Sequence, residues 1–400
     1  MKSLVFSVDE LYKCSTQSER RNYHLTKELF EEKTNLLMEK ITSGLYTFSF
    51  KQDKCFFINS QTSKFDFLFQ NLVLRKIYRN IKLVYKLTQA NRDDIISQIQ
   101  VLLGEKSPYW ILKLDLKSFY ESINYSEIIE KIESDCRLNS QTIFYIKKIF
   151  EGLPKESKGV PRGISVSAIF SELFMKDFDL KVKRMEGVYY YARFVDDIIL
   201  FCNSSKSRDN VEQEIEKELE RKKMRLNEAK RQKWENKSES ELTYLGYDFS
   251  HNEKKIVTSI AEKKIKMIKT RIAKSFINYT KNKNFGLLKD RIKFLTGNIV
   301  LKKTDLESVY VGIYYNYKKI ENEKKEKLDS EGKKKLDELD LFYHKFLNCK
   351  TGKIGSVLNS NLTNMQKTIL NKYSFKFGFE SRVRHTFSYD NMKKIKRCWL

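Results

Sequence analysis

Two adjacent carboxylates, Asp196 and Asp197, interrupt an apolar and aromatic stretch at residues 189–201. Two turn-compatible residues between two β-rich runs predict a β-hairpin. Adjacent carboxylates in a core-forming hairpin repel each other and resist desolvation. A divalent cation would compensate for both effects, because hard oxygen ligands suit it. The alternative is that the pair forms a solvated surface turn.

A third acid has a similar setting. Asp115 lies near the end of an apolar strand predicted at residues 110–116. If this strand neighbours the hairpin in one sheet, Asp115, Asp196 and Asp197 converge. Such a group suits two metal ions about 3.5–4 Å apart, which activate a hydroxyl and stabilise a leaving pyrophosphate. The alternative for Asp115 is a helix N-cap. A Gly/Pro loop at residues 159–164, between the two segments, favours chemistry.

The order of these motifs resembles the palm of a reverse transcriptase over about residues 75–250. In that family an Asp closes the first palm strand, and an aromatic residue follows five positions later. After these come, in order, a Pro-Gln-Gly motif, a Tyr-x-Asp-Asp hairpin, a lysine motif and a Leu-Gly turn. The corresponding positions here are Asp115 with Tyr120, residues 161–167, residues 194–197, residues 226–230, and residues 245–246.

The resemblance implies an α+β, right-hand polymerase fold. Fingers and a palm with an antiparallel sheet are expected over residues 1–255. A mainly α-helical, basic, thumb-like region that binds nucleic acid is expected over residues 256–400. The pattern itself supports a boundary near residues 250–260, because 261–303 is rich in lysine and arginine and carries only two acids.

The resemblance also implies roles for individual residues. Asp115 and Asp196 would be the main ligands of two Mg²⁺ ions, with Mn²⁺ as an alternative, Asp197 a supporting ligand and Leu116 part of the same metal site. Tyr120 would exclude the ribose 2′-hydroxyl, and Lys230 would protonate or neutralise the departing pyrophosphate. The other residues expected at the nucleotide are Leu116, Lys117, Ser118 and Phe119 through their backbone N–H groups, Arg162, Gly163 and Arg92.

Each of these roles has a structural alternative. Tyr120 could be core packing, Gly163 a helix-entry turn, and Lys230 a solvated surface lysine. Two positions also depart from the family pattern: Arg162 stands where most relatives carry Gln, and Phe194 replaces the usual Tyr. Arg162 is a fixed cation with a longer reach. Contact with the incoming phosphates, contact with the template backbone and a change in template use are the alternatives for it.

Three segments resemble bacterial abortive-infection and defence-associated reverse transcriptases: residues 118–123, 165–172 and 194–197. The resemblance implies RNA-directed DNA synthesis from dNTPs in antiphage defence, with a noncoding RNA as template or scaffold. Template-independent, protein-primed DNA synthesis and a noncatalytic RNA-binding scaffold remain alternatives. A protein partner or a homo-oligomer also stays open.

The charge balance points to a polyanionic partner. The chain has 77 Lys and Arg against 52 Asp and Glu, a net charge of +25. A thumb-like helix along the nucleic acid is expected to use Lys263, Lys266, Lys269, Arg271 and Lys274. Arg75 and Arg79 join Arg92 as candidates on the fingers side, and residues 373–389 combine cations with aromatic rings. The alternative for each is a solvated charged face.

Other classes fit the sequence poorly. No apolar run is long enough to span a membrane, so a cytoplasmic protein without a membrane partner is expected. Six scattered cysteines without a CxxC pair, and only four histidines, argue against a zinc site or a disulfide framework.

Overall fold

The structure is a computed structural model that describes residues 3–53, 56–105, 107–154, 159–235, 241–252, 255–303, 308–322, 327–328 and 330–399. Its helices are α1 (Val8–Tyr12), α2 (Gln17–Asn22), α3 (Lys27–Thr42), α4 (Lys64–Tyr85), α5 (Arg92–Leu103), α6 (Phe119–Ser122), α7 (Tyr125–Asp135), α8 (Ser140–Glu151), α9 (Ser167–Lys183), α10 (Ser205–Arg221), α11 (Glu262–Asn282), α12 (Phe285–Thr296), α13 (Ile313–Tyr317), α14 (Ser330–Leu347), α15 (Gly352–Asn361), α16 (Asn364–Asn371), α17 (Phe375–Glu380) and α18 (Tyr389–Lys396).

Its strands are β1 (Phe50–Asp53), β2 (Phe56–Asn59), β3 (Trp110–Lys117), β4 (Val188–Phe194), β5 (Asp197–Cys202), β6 (Arg225–Leu226), β7 (Gln232–Glu235), β8 (Leu242–Tyr244), β9 (Tyr247–Asn252), β10 (Lys255–Ile260), β11 (Asn298–Lys303), β12 (Ser308–Gly312), β13 (Glu321–Asn322), β14 (Lys327–Leu328) and β15 (Arg384–His385). None of the helices in the described ranges combines the length and the apolar character that crossing a bilayer requires.

The chain folds into two compact units. The first contains Met1–Asn91 and Pro108–Asn236, and the second contains Arg92–Ser107 and Lys237–Leu400. This division comes earlier than the predicted boundary at residue 255, because β8, β9 and β10 pair with one another. The second unit also takes in α5, which packs against β10. Fingers, palm and thumb remain predicted roles for these regions.

The first unit is built around one antiparallel sheet with the strand order β4-β5-β3-β6, and β7 also pairs with β3. Strand β5 is fully buried from Ile198 to Cys202, and such β-branched and aromatic runs suit a strand in a sheet interior. Helices α9 and α10 pack against this sheet. The predicted α+β class and the antiparallel sheet are thus confirmed.

The longest helix of the first unit, α4, organises its N-terminal part. Ser63 caps its first turn, and Lys86 ends it in a left-handed conformation. Apolar residues along α4, from Leu68 to Ile81, are almost completely buried. Helices α1, α3, α8 and α9 pack against α4, so it joins the N-terminal segment to the helices behind the sheet.

The second unit combines helices with two three-stranded sheets. Strands β8, β9 and β10 form an antiparallel sheet, and β11 lies between β12 and β15 in the other. Helix α11 packs against α12, α14 and α15. The sequence predicted the helical, basic character of this region but not strands β11, β12 and β15.

Candidate active site

Strand register brings two of the three predicted carboxylates together. Asp115 on β3 lies directly opposite Asp197, the first residue of β5. Directly opposed residues of an antiparallel pair have Cβ atoms about 4.5–5.5 Å apart on the same face of the sheet. Asp196 precedes Asp197 in the β4–β5 turn, and its carbonyl oxygen accepts a hydrogen bond of 3.0 Å from the Leu116 backbone N–H. The convergence expected from the sequence is therefore present in the backbone.

The β4–β5 connection is a two-residue hairpin turn, but Val195 and Asp196 form it, whereas the sequence predicted Asp196 and Asp197. Asp197 is instead the first residue of β5, where it pairs with Phe194. Val195 has a φ of 60°, which is unusual for a β-branched residue and costs about 1–3 kcal/mol unless its surroundings hold it. Arg193 helps to hold it, because its Nη1 donates a 3.0 Å hydrogen bond to the Val195 carbonyl oxygen. The turn that presents Asp196 is thus strained and supported from within the strand.

Arg193 is itself fixed by two acids on α9. It is 6% exposed, and its guanidinium donates to Asp179 through Nε and Nη2, both at 2.8 Å, and to Glu172 Oε2 at 2.7 Å. Tyr191 adds a 2.6 Å hydrogen bond from its hydroxyl to Asp179. A buried ion pair is held strongly only when its remaining donors and acceptors are satisfied, as they are here. This network ties the hairpin to α9.

Asp115 is a buried carboxylate with two partners from the segment after β6. Its side chain accepts hydrogen bonds from Asn227 Nδ2 at 2.9 Å and from Lys230 Nζ at 2.6 Å. The Asn227 backbone N–H also donates to the Asp115 carbonyl oxygen at 2.8 Å. Hydrogen bonding to Asp115 raises the pKa of the Lys230 ammonium, so this lysine stays charged. The structure thus brings the predicted Lys230 to the predicted carboxylates.

The electrostatics of the hairpin show an unbalanced negative charge. Burial, reinforced by the charges of Asp196 and Asp115, raises the pKa of Asp197 to about 6. Burial also raises the pKa of Asp196, with a further contribution from Asp115. The ionised form of a carboxyl group is destabilised in this way when a second carboxylate lies close by and too little positive charge surrounds the two. A nearby cation would reverse the effect.

The donor set fits a hard divalent cation. Carboxylate oxygens are the ligands that Mg²⁺ and Mn²⁺ favour, and raised pKa values indicate room for more positive charge. Across the described ranges, however, no three acidic, histidine or cysteine side chains are grouped as a ready metal site. We attribute this to Asp115, whose carboxylate is directed to Asn227 and Lys230.

Tyr120, Glu121 and Arg162 form a second cluster near the end of β3. The Arg162 guanidinium lies 5.5 Å from the centre of the Tyr120 ring and 2.8 Å from a Glu121 carboxylate oxygen. Arg162 and Glu121 are about a third and two fifths exposed, so their ion pair contributes little to stability. Burial raises the pKa of Tyr120, and its phenol stays neutral. Arg162 therefore lies beside the predicted steric gate.

Two glycines let the loop at residues 159–164 approach its neighbours closely. Gly163 has a φ of 96°, and a Cβ there would lie 2.7 Å from the Phe57 carbonyl oxygen. Gly159 has a φ of 68°, and a Cβ there would lie 2.3 Å from the Tyr120 carbonyl oxygen. Hydrogen bonds from Phe57 N–H to Arg162 O, at 2.6 Å, and from Val160 N–H to Tyr120 O, at 2.9 Å, close the loop. Gly163 is needed here for the loop itself.

The residues after Asp115 correct one expectation. The Leu116 N–H cannot face a triphosphate, because it donates to Asp196 O. The side chains of Leu116 and Phe119 are buried, whereas Lys117 and Ser118 are exposed. Ser118 has a φ of 50°, which turns the chain from β3 into α6. Contacts with a nucleotide at this turn remain a prediction for Lys117, Ser118 and Phe119.

Arg92 belongs to the second unit, where protein groups occupy its guanidinium. It donates to the Leu245 carbonyl oxygen at 2.6 and 3.0 Å and to the Asn316 carbonyl oxygen at 2.8 Å, and it lies 4.8 Å from the centre of the Tyr247 ring. These contacts fix the Leu245–Gly246 turn. A nucleotide would have to displace these protein contacts before Arg92 could have its predicted role.

The five predicted cations of α11 divide into two groups. Lys263 and Lys266 are exposed. Lys269 instead pairs with Glu338. Lys274 donates to the Trp399 carbonyl oxygen, and Arg271 lies over the Trp399 ring. The second group therefore packs this unit together, and only the first is freely presented.

Other basic and aromatic residues that were predicted to contact nucleic acid also bind to, or are buried by, neighbouring protein groups. Arg75 forms an ion pair with Glu19 at 2.6 Å, and Arg79 donates to the Lys13 carbonyl oxygen. In the 373–389 segment, Phe375 and Phe379 are fully buried, so they cannot stack on bases. Phe377 and Tyr389 are exposed at 58% and 68%.

Sequence reasoning missed Asn227 and the Arg193 network. A signal for the network was present, since Arg193 is a lone charge inside an aromatic strand. Its partners Glu172 and Asp179 are seven positions apart, which places them on one face of a helix. Asn227 lies within the same lysine motif as Lys230.

One family model matches part of the chain. Residues 69–249 match the model of a family described as reverse transcriptase (RNA-dependent DNA polymerase). This range contains Asp115, Tyr120, Asp196 and Lys230. None of the curated protein sequences matches the chain.

Three solved structures of telomerase from two Candida species resemble parts of the chain. Apo telomerase from Candida tropicalis, truncated from its C-terminal domain, has a TM-score of 0.38 at 16% identity, covering 52% of this chain and 54% of that chain. Candida tropicalis telomerase in complex with a TWJ fragment of telomeric RNA scores 0.41 at 13% identity, covering 94% and 65%. The corresponding complex from Candida albicans scores 0.36 at 15% identity, covering 82% and 53%. The chain spans about half to two thirds of these telomerases, and scores this low establish nothing about its substrate.

Proposed function

We propose that this chain is an RNA-directed DNA polymerase, which adds dNTPs to a DNA 3′ end on an RNA template by two-metal-ion nucleotidyl transfer. The match of residues 69–249 to the reverse transcriptase family model supports this proposal. The observation that carries the proposal is the register of β3 and β5, which sets Asp115 opposite Asp197 and next to the Asp196 turn. A noncatalytic RNA-binding scaffold would have no use for carboxylates placed so that burial and mutual repulsion raise the pKa values of Asp196 and Asp197.

In this proposal Asp115 and Asp196 hold the divalent cations, Mg²⁺ or Mn²⁺, and Asp197 supports them. When bound, such ions favour ionisation of the primer hydroxyl and neutralise charge on the pyrophosphate. The chain's own contribution is to hold the carboxylates in place. The raised pKa values of Asp196 and Asp197 support a role for cations, because cations would stabilise the ionised forms that the protein alone disfavours.

Lys230 serves as the cation next to Asp115 and as the source of positive charge for the leaving pyrophosphate. Its ammonium is half exposed, so it has access to a ligand as well as to Asp115. Its raised pKa keeps it protonated near neutral pH, as a proton donor requires. Once Asp115 binds metal, Lys230 is free to turn towards the departing phosphates.

Tyr120 and Arg162 form the sugar and phosphate side of the site in this proposal. The half-buried Tyr120 ring excludes a 2′-hydroxyl by steric contact, which favours DNA over RNA synthesis. Among the described residues, Arg162 forms its ion pair with a partly exposed acid, Glu121, so an incoming triphosphate can compete for its guanidinium. Gly163 shapes the loop that carries it.

For biological setting we propose antiphage defence in bacteria with a noncoding RNA as template or scaffold. The support is the resemblance of residues 118–123, 165–172 and 194–197 to defence-associated reverse transcriptases. Sequencing the nucleic acids that copurify with the protein tests this, since template and product are read together. Copurified DNA complementary to one noncoding RNA is expected, and random cellular RNA without complementary DNA would contradict it.

The enzymatic proposal is tested with Asp196→Ala. This variant should lose dNTP incorporation on a primed RNA template while it still binds RNA, because the carboxylate acts in the reaction and not in binding. Glu32→Ala, which removes an exposed acid on α3, is the matched control and should retain both properties. Undiminished incorporation by Asp196→Ala would refute the assignment.

A further inference from the structure

A basic cavity lies on the N-terminal part of the first unit, formed by α1, α4 and the residue stretch after α4. Its volume is about 760 Å³. One acid and five cations line it: Glu10, Lys13, Lys76, Arg79, Lys82 and Lys86. All come from residues 3–88, whereas the carboxylate site is built from β3, β5 and the segment after β6. The cavity is therefore a separate feature.

The acid of this cavity is already neutralised. Glu10 accepts hydrogen bonds of 2.8 Å from both Lys13 and Lys76, which hold its pKa at about 2. Lys76 is 2% exposed, and its Nζ also donates to the Ser3 carbonyl oxygen at 2.5 Å. A buried ammonium that is held by two acceptors thus forms part of the cavity wall.

Three exposed cations line the cavity at the C-terminal end of α4. Arg79 and Lys82 are three residues apart on the helix, and Lys86 is the left-handed residue that ends it. Like charges that line one cavity repel each other. Within the described residues, neither Lys82 nor Lys86 forms an ion pair; the Lys82 ammonium lies 5.9 Å from the centre of the Tyr78 ring. An anionic ligand would remove this repulsion.

The shape of the cavity indicates what kind of anion fits. Its volume is in the range of pockets for single small ligands, and not of an open groove that follows a long strand. Leu83, which is 42% exposed, and Leu87 add apolar surface beside the cations. A ligand with a flat apolar part and a phosphorylated part matches both surfaces. We propose that this cavity binds a phosphate-bearing nucleotide, either free or as the 5′-phosphorylated end of an RNA strand.

The test compares two double variants with the same change in charge. Lys82→Ala/Lys86→Ala removes the unpaired cations of the cavity, and Lys40→Ala/Lys64→Ala removes two exposed lysines outside its lining. Binding of ATP, of a 5′-triphosphorylated RNA decamer and of the same decamer with a 5′-hydroxyl is measured by titration calorimetry in metal-free buffer. Thermal unfolding is measured alongside, and both variants should match the parent because all four lysines are exposed.

The cavity variant should bind the phosphorylated ligands about tenfold or more weakly, while the control binds them like the parent. For the phosphorylated decamer, the slope of the logarithm of the binding constant against the logarithm of the salt concentration should become shallower by about 1.4, because two cations are lost. Tightest binding of ATP identifies a free nucleotide, and tightest binding of the phosphorylated decamer identifies an RNA end.

Equal affinities in the cavity and control variants would overturn the proposal. A polyglutamate peptide provides a second test. If it binds the parent as tightly as ATP does, and loses as much affinity as ATP in the cavity variant, the proposal is also overturned, because the site then accepts acidic protein. No metal and no DNA synthesis enter these measurements, so their failure leaves the Asp196→Ala test of the enzymatic proposal intact.

Discussion

The Lys230 ammonium lies 2.6 Å from Asp115 Oδ2, although the two residues come from β3 and from the short 3₁₀ turn Glu228–Lys230. Asn227 fixes the other oxygen of the same carboxylate. One buried acid is therefore shared between a strand of the central sheet and the lysine motif. This contact links the proposed metal ligand to the proposed proton donor.

Lys230→Gln should lower kcat for dNTP incorporation by about 10²–10⁴-fold, the range typical of a lost general acid. The Mg²⁺ concentration for half-maximal rate should not rise, because a cation that competes for Asp115 has been removed. Primer-extension rates across a Mg²⁺ titration measure both quantities. Lys233→Gln, on β7, is the matched control. An unchanged kcat in Lys230→Gln would mean that Lys230 is only a counter-ion of Asp115.

Replacement of Arg193 by Met should destabilise the protein by about 3–5 kcal/mol, because Glu172 and Asp179 would be left without their buried partner. Arg193→Lys should recover only part of this, since an ammonium cannot form the same forked contacts. Chemical denaturation measures the free energy of unfolding. Arg184→Met, at an exposed position after α9, should stay within about 0.5 kcal/mol of the parent. A similarly small effect at Arg193 would contradict the supporting role of the network.

Asp197→Asn should stabilise the metal-free protein at pH 7 by about 1–3 kcal/mol, because it removes a carboxylate whose pKa is raised to about 6. The native state keeps a proton that the unfolded chain, with an ordinary Asp pKa near about 4, releases. Stability of the parent should therefore fall as pH rises from about 4 to 6, and this slope should be smaller in the variant.

Thermal unfolding in metal-free buffer at several pH values measures this difference. The exposed Asp53→Asn serves as the control, and its pH profile should match the parent. A variant less stable than the parent at pH 7 would mean that the Asp197 carboxylate is already compensated within the protein.

Tyr120→Ala should relax discrimination against ribonucleotides, because the ring next to Arg162 would no longer block a 2′-hydroxyl. The ratio of kcat/KM for dNTP and rNTP measures the effect. Tyr125→Ala, on the neighbouring helix α7, is a control for loss of an aromatic ring. An unchanged ratio in Tyr120→Ala would leave this residue with a packing role.

The elements of the site that the sequence predicted are those with local signals. The hairpin around Asp196 is recognisable because two β-rich runs flank two polar residues, and Asp115 because it ends an apolar run. Their pairing follows once both strands share a sheet. The expectation that the Leu116 amide faces a triphosphate fails, because local sequence does not reveal its hydrogen bond to the hairpin turn.

Contacts between distant segments could not be predicted in this way. Arg193 finds its partners on α9, and Lys269 and Lys274 find theirs on α14 and near the C-terminus. A lysine on an exposed helix face and a lysine that joins two helices have the same local sequence. Strand β11 was missed for a similar reason, because its pairing with β15 joins residues far apart in the chain.

Single-turnover primer extension by Asp115→Asn tests the central proposal most directly, because this change keeps the size of the side chain while it removes the charge contributed by β3 and replaces one acceptor oxygen by a donor. With Mg²⁺, a DNA primer and an RNA template, the variant should extend the primer at least about 10³-fold more slowly than the parent, while it binds the primed template equally well. Extension at the rate of the parent would contradict the joint action of Asp115 with the carboxylates of the β4–β5 hairpin.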